Sequence, residues 1–322
     1  MLCRVSARPP RLQREQLRRS PTMSASRRDD HSKQQRNTLL GEALGVQQKQ
    51  QPQQREVDTI CEQLRNALLV DGLERVKLAF PAMKETRTRH HLHGDAGVPF
   101  SSLDGHVAGR VRTYAGGPIS HCVVADIWSP TRSFGAMRLD VFLDGSVPAP
   151  HLLLHLNLLP PGPHNANASV LFYFDLQPRV DLRSDDAYMT RYYMTPVDGC
   201  RSPAALVAAC LANDRLRPYI SRDGVVRVFM GTPAALLFTL DADAEGVQIM
   251  ESTLEEMLSI WIALATMPRA ARVDATTVRQ RDRITRLFVQ RDPDTANMRP
   301  LLGKETTEML IELLSGIDTN EA

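Results

Sequence analysis

The sequence predicts an α/β fold, a three-layer α/β/α sandwich around a central, mostly antiparallel sheet. Between residues 106 and 159 the hydrophobic pattern has a period of two, which is typical of strands. The connections between these segments are short, and short connections join neighbouring antiparallel strands because a parallel crossover needs a dozen or more residues. Segments with helical spacing precede and follow the strands, so helices are available to cover both faces of the sheet.

Composition predicts a soluble globular protein. The chain has 322 residues, of which 43% are hydrophobic and 24% charged, which is enough for one large core. No apolar run approaches the roughly 20 residues that span a bilayer, and a net charge of +2 gives no reason to expect nucleic acid as a partner. The five cysteines include no C-x-x-C pair, which argues against a zinc ribbon or an iron–sulfur cluster and predicts reduced thiols.

Residues 1–54 differ in composition from the rest of the chain. The first 36 contain ten Arg or Lys against three Asp or Glu, which is typical of an organelle transit peptide. A disordered basic tail that binds polyanions is the alternative. Gln47–Gln54 is a low-complexity stretch that predicts a flexible linker. We therefore expect a single folded domain at residues 55–322.

The first predicted element of this domain is a surface helix over Glu56–Leu69, whose apolar residues recur at helical spacing. Lys84–Ser102 has few large apolar residues and is expected to be a polar loop. It contains R-H-H-L-H-G at Arg89–Gly94, whose histidines could ligate a metal. Because no Cys or carboxylate ligand is near in the sequence, the loop interpretation is favoured and no metal site is predicted.

Five strands are predicted next. Val170–Phe174 is a short aromatic-rich run that we expect to be buried on both faces and to end before Pro178, which lacks a backbone donor. Two later strands, Val225–Met230 and Ala234–Leu240, are predicted to form a hairpin. Four strands with an alternating pattern precede Val170 and complete a meander: Val107–Tyr114, Ile119–Trp128, Ala136–Leu143 and His151–Leu158.

Helices are predicted around this sheet. A short one over Ala187–Tyr193 begins at Asp185–Asp186, whose negative charge suits a helix N-terminus, and it places Tyr188 and Tyr192 on one face. No strand-bound G-x-G-x-x-G and no P-loop occurs in the sequence, so the sequence carries no motif for a bound nucleotide cofactor. The other predicted helices are Pro203–Leu211, Val247–Ala265, Thr276–Val289 and Thr306–Leu314.

A series of motifs runs through residues 107–265. A-P-x-x-L-L at Ala149–Leu154 lies on the fourth strand, and D-L-Q-P-R-V-D-L at Asp175–Leu182 follows the fifth. D-x-Y-M-x-x-Y-Y at Asp186–Tyr193, R-P-Y-I-S at Arg217–Ser221 and V-x-V-F-M-G-T-P-A at Val226–Ala234 come next. In this order they resemble the red chlorophyll catabolite reductase family, a distant branch of the ferredoxin-dependent bilin reductases.

The resemblance implies a fold and a function. Family members share the sandwich fold, bind an open-chain tetrapyrrole between the sheet and the C-terminal helices, and form dimers, so a homodimer is one expectation. They carry no flavin, nicotinamide or metal; single electrons come from reduced ferredoxin and side chains supply the protons. The implied activity is the reduction of red chlorophyll catabolite to primary fluorescent chlorophyll catabolite in the chloroplast, with no bound cofactor.

The resemblance also implies two catalytic acids. The family's Glu on the fourth strand falls at His155, whose imidazole titrates near neutrality and can donate a proton; a partly exposed edge-strand histidine is the alternative. The family's C-terminal Asp matches Asp292 if one residue is inserted, or Asp294. The alternative is a solvated loop carboxylate, because R-D-P-D is a common turn sequence. Asn157 shares a strand face with His155 and would help to form a polar pocket.

The propionates of such a pigment need cations. Arg138, Arg179 and Arg227 are the candidates because a guanidinium pairs bidentately with a carboxylate; the alternative for each is a surface ion pair. An acidic ferredoxin should dock on basic residues. A C-terminal arginine cluster could serve, unless it is simply a solvated helix face: Arg269, Arg272, Arg279, Arg281, Arg283 and Arg286.

Two other functions are compatible with the sequence. The replacement of the family's acid by His155 would suit a non-catalytic bilin-binding or photoprotective protein that has kept the pocket. The basic N-terminus would suit a polyanion-binding protein, and salt-sensitive binding of RNA or DNA that disappears on deletion of residues 1–54 would reveal it.

Overall fold

Nine strands of the described residues form one antiparallel sheet, which confirms the predicted sheet type. The structure is a computed structural model, and it describes residues 55–91, 96–129, 134–161, 167–221, 223–267, 275–291 and 293–317. The strands are β1 (Lys84–Thr86), β2 (Val98–Ser101), β3 (Ala108–Gly116), β4 (Ile119–Ser129), β5 (Phe134–Leu143), β6 (His151–Leu159), β7 (Ser169–Gln177), β8 (Arg217–Pro218) and β9 (Leu236–Asp241). Their order is β1, β3, β4, β5, β6, β7, β9, β8, with β2 also paired to β3.

Helices pack on both faces of this sheet, so the predicted three-layer α/β/α sandwich is confirmed. The first helix is interrupted by a π-helical stretch, and α3 continues into a π-helical turn, Thr190–Met194. The helices are α1 (residues 55–65, followed by π-helical Asn66–Gly72), α2 (Leu73–Ala79), α3 (Asp186–Met189), α4 (Pro203–Leu211), α5 (Gly224–Phe229), α6 (Ala244–Thr266), α7 (Ala275–Arg291), α8 (Pro293–Leu302) and α9 (Lys304–Ser315).

The larger core lies between one sheet face and α1, α2, α4 and α6. Even-numbered residues of β6 and β7, such as Leu154 and Phe172, point into it and are fully buried. The indole of Trp261 on α6 is also fully buried there, and its nitrogen donates to the carbonyl of Pro150 at 3.0 Å. Apolar side chains dominate this face, which therefore serves stability rather than chemistry.

The opposite sheet face is covered by the C-terminal helices. α8 and α9 pack on β2–β4 through Met298, Leu313 and neighbouring apolar residues. Phe229 of α5 and Phe288 of α7 stack in parallel, with 3.6 Å between their ring centroids, and so join these two helices. Odd-numbered residues of β6 and β7, including His155, point toward this layer, and many of them are polar.

Several local predictions are confirmed in detail. β7 ends at Gln177, the residue before Pro178. Asp185 caps α3, since its carboxylate accepts the backbone N–H of Tyr188 at 2.8 Å. The rings of Tyr188 and Tyr192 lie on one face of this helix, 4.5 Å apart.

The predicted strand Val225–Met230 is wrong, because this segment forms α5. The carboxylate of Asp223 accepts the backbone N–H of Val226 at 3.1 Å and so begins a helix. Helical spacing buries Val226 and packs Phe229 and Met230 against the sheet. Packing therefore overrides the strand propensity of the valines. β9 consequently pairs with β7 instead of forming the predicted hairpin.

Two short segments also differ from expectation. Lys84–Ser102 is not entirely a loop, because it contains β1 and β2, which are too short to leave a periodic pattern. The turn expected at R-D-P-D is replaced by the start of α8 at Pro293, a residue type favoured at the first helical position. His91 accepts the backbone N–H of Thr88 at 2.9 Å, and the described residues hold no group of three potential metal ligands.

Among the described residues, no helix combines the length and apolar character that crossing a membrane requires.

Candidate functional site

A cavity of about 700 Å³ lies where α5 and α7 meet the end of β7. Its wall includes Gln177 at the end of β7 and Pro178 just after it, Thr232 from the α5–β9 connection, and Ile284 and Phe288 from α7. A mostly apolar lining with a few converging polar groups is typical of a small-molecule site. The cavity lies between the sheet and the C-terminal helices, the layer in which the family resemblance predicts the pigment.

A buried carboxyl group lies behind this cavity. Asp175 accepts hydrogen bonds at Oδ2 from the hydroxyl of Tyr173, at 2.7 Å, and from the amide of Gln177, at 2.6 Å. Its Oδ1 accepts the hydroxyl of Thr232. Because Oδ2 already accepts two hydrogen bonds, a proton bound by Asp175 belongs on Oδ1, the oxygen that faces Thr232 and the cavity.

The environment of Asp175 suits proton transfer. Burial raises its pKa to about 6, and the hydrogen bonds from Thr232 and Tyr173 only partly oppose this effect. A general acid works best when its pKa lies near the working pH. Burial and the charge of Asp175 raise the pKa of Tyr173 well above its usual value, so its hydroxyl stays a donor.

His155 lies on the same sheet face as Asp175, and its ring meets the ring of Tyr173 edge-on, 5.3 Å between centroids. Nε2 of His155 donates to Asp140 at 2.9 Å, and Asp140 also pairs with Arg138. Nδ1 is buried without a hydrogen-bond partner in the described part of the chain. Burial lowers the pKa of His155 to about 4 despite the charge of Asp140. The imidazole is therefore neutral at pH 7, and it must receive a proton before it can donate one.

The other residues predicted for the site are spread over the structure. Asn157 and Arg138 lie beside His155 on the same face, and Asn157 is buried. Arg227 is exposed on α5 and does not line the 700 Å³ cavity. Asp292 lies outside the described residues, as does the side chain of Asp294.

Arg179 is fully buried in an ion-pair network. Its Nε and Nη2 donate to the carboxylate of Asp282 on α7 at 2.9 and 2.5 Å, and its Nη1 donates to the carbonyl of Val147. Nε2 of His151 donates to the same carboxylate at 2.8 Å, while its Nδ1 accepts the backbone N–H of Leu143 at 3.0 Å. The network ties α7 to the sheet, and a propionate could reach Arg179 only by displacing Asp282.

Two arginines that line the cavity, Arg183 and Arg281, are not those predicted to bind the pigment. Neither takes part in a salt bridge with the described residues, so both are available to a carboxylate. The sequence places Arg183 in a charged turn and Arg281 in a basic cluster. For Arg281 a better signal exists, since it shares a helix face with Ile284 and Phe288.

Three histidines of lowered pKa predict a loss of stability in mild acid. Burial lowers the pKa of His121, His151 and His155 to about 4, below the value of about 6.5 in an unfolded chain. The folded state therefore binds fewer protons between these values, and stability should fall as the pH drops from about 6.5 to about 4, on the order of 1 kcal/mol per pH unit for each histidine. Asp175 opposes this trend, because its raised pKa favours the folded state in acid.

Urea denaturation across this pH range measures the effect. His151→Gln keeps hydrogen-bonding groups at the site but does not titrate, so the dependence should be weaker in this variant. An equally steep dependence in both proteins would contradict the contribution of His151.

Comparisons with known proteins identify the family of this chain. Residues 115–316, more than half of the chain, match the family described as red chlorophyll catabolite reductase (RCC reductase). Red chlorophyll catabolite reductase 1, chloroplastic, of Oryza sativa subsp. japonica is 32% identical over 146 residues, which are 45% of this chain and 38% of that protein. The chain thus aligns with less than half of the length of this relative.

A solved structure shares the fold. The crystal structure of phytochromobilin synthase from tomato in complex with biliverdin superposes with a TM-score of 0.60 over 78% of this chain and 82% of that chain, at 13% sequence identity. This likeness confirms the sandwich fold. The match over residues 115–316 confirms the resemblance seen in the motifs: the chain belongs to the red chlorophyll catabolite reductase family.

Proposed function

We propose that this protein reduces a linear tetrapyrrole bound in the 700 Å³ cavity, with electrons delivered singly by reduced ferredoxin and no cofactor of its own. The finer proposal is the conversion of red chlorophyll catabolite to primary fluorescent chlorophyll catabolite in the chloroplast. Membership of the family supports the class of reaction. The observation that carries the mechanism is a buried carboxyl group of raised pKa, hydrogen-bonded to a residue of the cavity wall.

Protonation completes each electron transfer. One electron converts the conjugated pigment to an anion radical, which must be protonated before the electron returns; two electrons and two protons reduce one double bond. Thr232 releases its hydroxyl proton to the pigment as it takes up the proton on Oδ1 of Asp175. The carboxylate that remains is stabilised by its hydrogen bonds from Tyr173 and Gln177.

His155 is proposed to supply the second proton. It does not line the 700 Å³ cavity and its Nδ1 is buried, so the pigment must reach past the cavity wall to contact it, and a proton from bulk water must charge the imidazole first. Asp140 then stabilises the imidazolium, in the way that a carboxylate orients a catalytic histidine. Asp292, the residue before α8, is the family-based proposal for a further acid.

An anaerobic assay with reduced ferredoxin and a panel of red chlorophyll catabolite and biliverdin tests the proposal. We expect the red catabolite to give a blue-shifted, fluorescent product. Stoichiometric binding with an unchanged absorption spectrum under reducing conditions would overturn it. That result would instead favour the bilin-binding protein suggested by the replacement of the family's acid with His155.

His155→Ala should lower the rate at least about 100-fold, the low end for loss of a general acid. The control is His106→Ala, which removes an exposed histidine between β2 and β3. Normal turnover of the His155 variant would remove this residue from the mechanism.

Arg281→Gln should raise KM at least about tenfold with little change in kcat, because loss of a charge-assisted hydrogen bond costs about 1.5–3 kcal/mol of binding. Arg227→Gln makes the same change at an exposed residue of α5 that does not line the cavity, and it should leave KM unaltered. Steady-state kinetics with the pigment measure both. If Arg227→Gln raised KM and Arg281→Gln did not, Arg227 would be the residue that binds the propionate, as the sequence suggests.

A further inference from the structure

A second cavity, of about 460 Å³, lies beside the face of α7 that carries Arg279, Arg283 and Arg286. These residues are spaced i, i+4 and i+7, so they share one helix face. Ser120, from the start of β4, and Ile317, just after α9, complete the opposite wall. Because other residues of α7 line the 700 Å³ cavity, this helix separates the two sites.

Arg286 is the most enclosed of the three cations. Its Nη2 donates to the hydroxyl of Ser120 at 2.6 Å, and its guanidinium carbon lies 5.1 Å from the centroid of the Phe142 ring. Its Nε is buried with no hydrogen-bond partner in the described part of the chain, and no salt bridge of the described residues includes it. An enclosed guanidinium with an unsatisfied N–H is costly unless an anion accompanies it.

The two carboxylates that line this cavity do not neutralise it. Asp282 is already bound by the buried Arg179 and by His151. Asp144 is a single charge and accepts the backbone N–H of Ser146 at 2.7 Å. Within the described ranges Arg279 and Arg283 form no salt bridge, and both are exposed at the mouth. The cavity therefore keeps an excess of positive charge.

We propose that this cavity binds a small oxyanion, a phosphate or a carboxylate, between Arg286 at its base and Arg279 and Arg283 at its mouth. Guanidinium groups match both anions, since their N–H donors form paired hydrogen bonds to two oxygens. The Ser120 hydroxyl accepts from Arg286 and donates to the carbonyl of Phe142 at 3.0 Å, so it holds the guanidinium in place. Because α7 forms a wall of both cavities, a bound anion holds this helix against the sheet and stabilises the protein.

Titration of the full chain with inorganic phosphate, against chloride at equal ionic strength, tests the site. We expect the Tm of the wild type to rise with phosphate, and isothermal titration to give at least about tenfold weaker binding for Arg286→Gln. Arg110→Gln removes the same charge from an exposed residue of β3 that lines neither cavity, and it should keep wild-type affinity for phosphate. Succinate in place of phosphate distinguishes a carboxylate site from a phosphate site.

Equal phosphate affinity in the wild type and Arg286→Gln would overturn the proposal. So would a Tm that Arg286→Gln lowers by the same amount in phosphate and in chloride, because Arg286 would then have a purely structural role. Failure of both phosphate and succinate to bind would also overturn it. If Arg286→Gln then lowered the ferredoxin-supported rate in a salt-sensitive way, this arginine would serve the docking of ferredoxin instead.

Discussion

Asp175→Asn is expected to lower the rate of pigment reduction at least about 100-fold while the protein stays folded. Asn has nearly the same shape and can keep hydrogen bonds to Tyr173 and Thr232, but it holds no proton that can be transferred at Oδ1. Loss of a positioned general acid costs about 10²–10⁴ in rate. Single-turnover absorbance changes of bound pigment, after addition of reduced donor, measure this step apart from binding.

The pH profile separates a proton donor from a structural carboxyl group. The protonated form of Asp175 is the donor and its pKa is about 6, so the wild-type rate should fall as the pH rises through about 6. Asp175→Asn should lose this dependence. Asp181→Asn is the matched control, because Asp181 is an exposed carboxylate of the same cavity wall. If Asp175→Asn kept the wild-type rate and pH profile, Asp175 would not be the first proton donor, and His155 would take that role.

The difference between Asp175 and His155 shows what the sequence can reveal about this site. The motif series and residue type single out His155, because an imidazole titrates near neutrality in water. Burial reverses that expectation in the fold by lowering the pKa of the imidazole and raising that of Asp175. The hydrogen bond from Thr232 joins residues 57 positions apart, and no local pattern contains it.

The fold is easier to predict than the site. β3–β6 follow from alternation and from short turns, and β7 follows from its continuous apolar run. The bounds of α4 match the prediction residue for residue, and Pro203 with a capping Ser202 marks its start. The errors fall where tertiary packing decides. α5 is built from strand-forming valines, and the edge strands β1 and β2 depend on pairing with β3 rather than on their own sequence.

Asp282→Ala should destabilise the protein by about 3–5 kcal/mol, because it leaves the buried guanidinium of Arg179 without a counter-charge. His151 would lose its hydrogen-bond acceptor in the same variant. Since Asp282 joins α7 to β6 and to the turn after β7, the effect should also loosen the wall shared by both cavities. Urea denaturation at pH 7 measures the free energy of unfolding.

A double-mutant cycle tests the origin of this cost. Arg179→Met in the Asp282→Ala background should recover part of the lost stability, because it removes the unpaired charge. Glu256→Ala breaks the more exposed Arg201–Glu256 pair and should cost no more than about 1 kcal/mol. The pairing holds the pKa of Asp282 at about 2, so its contribution should persist down to about pH 4 and disappear as the pH falls toward 2. Additive effects of the two changes would mean that the pair is not coupled and that α7 is held by its apolar contacts alone.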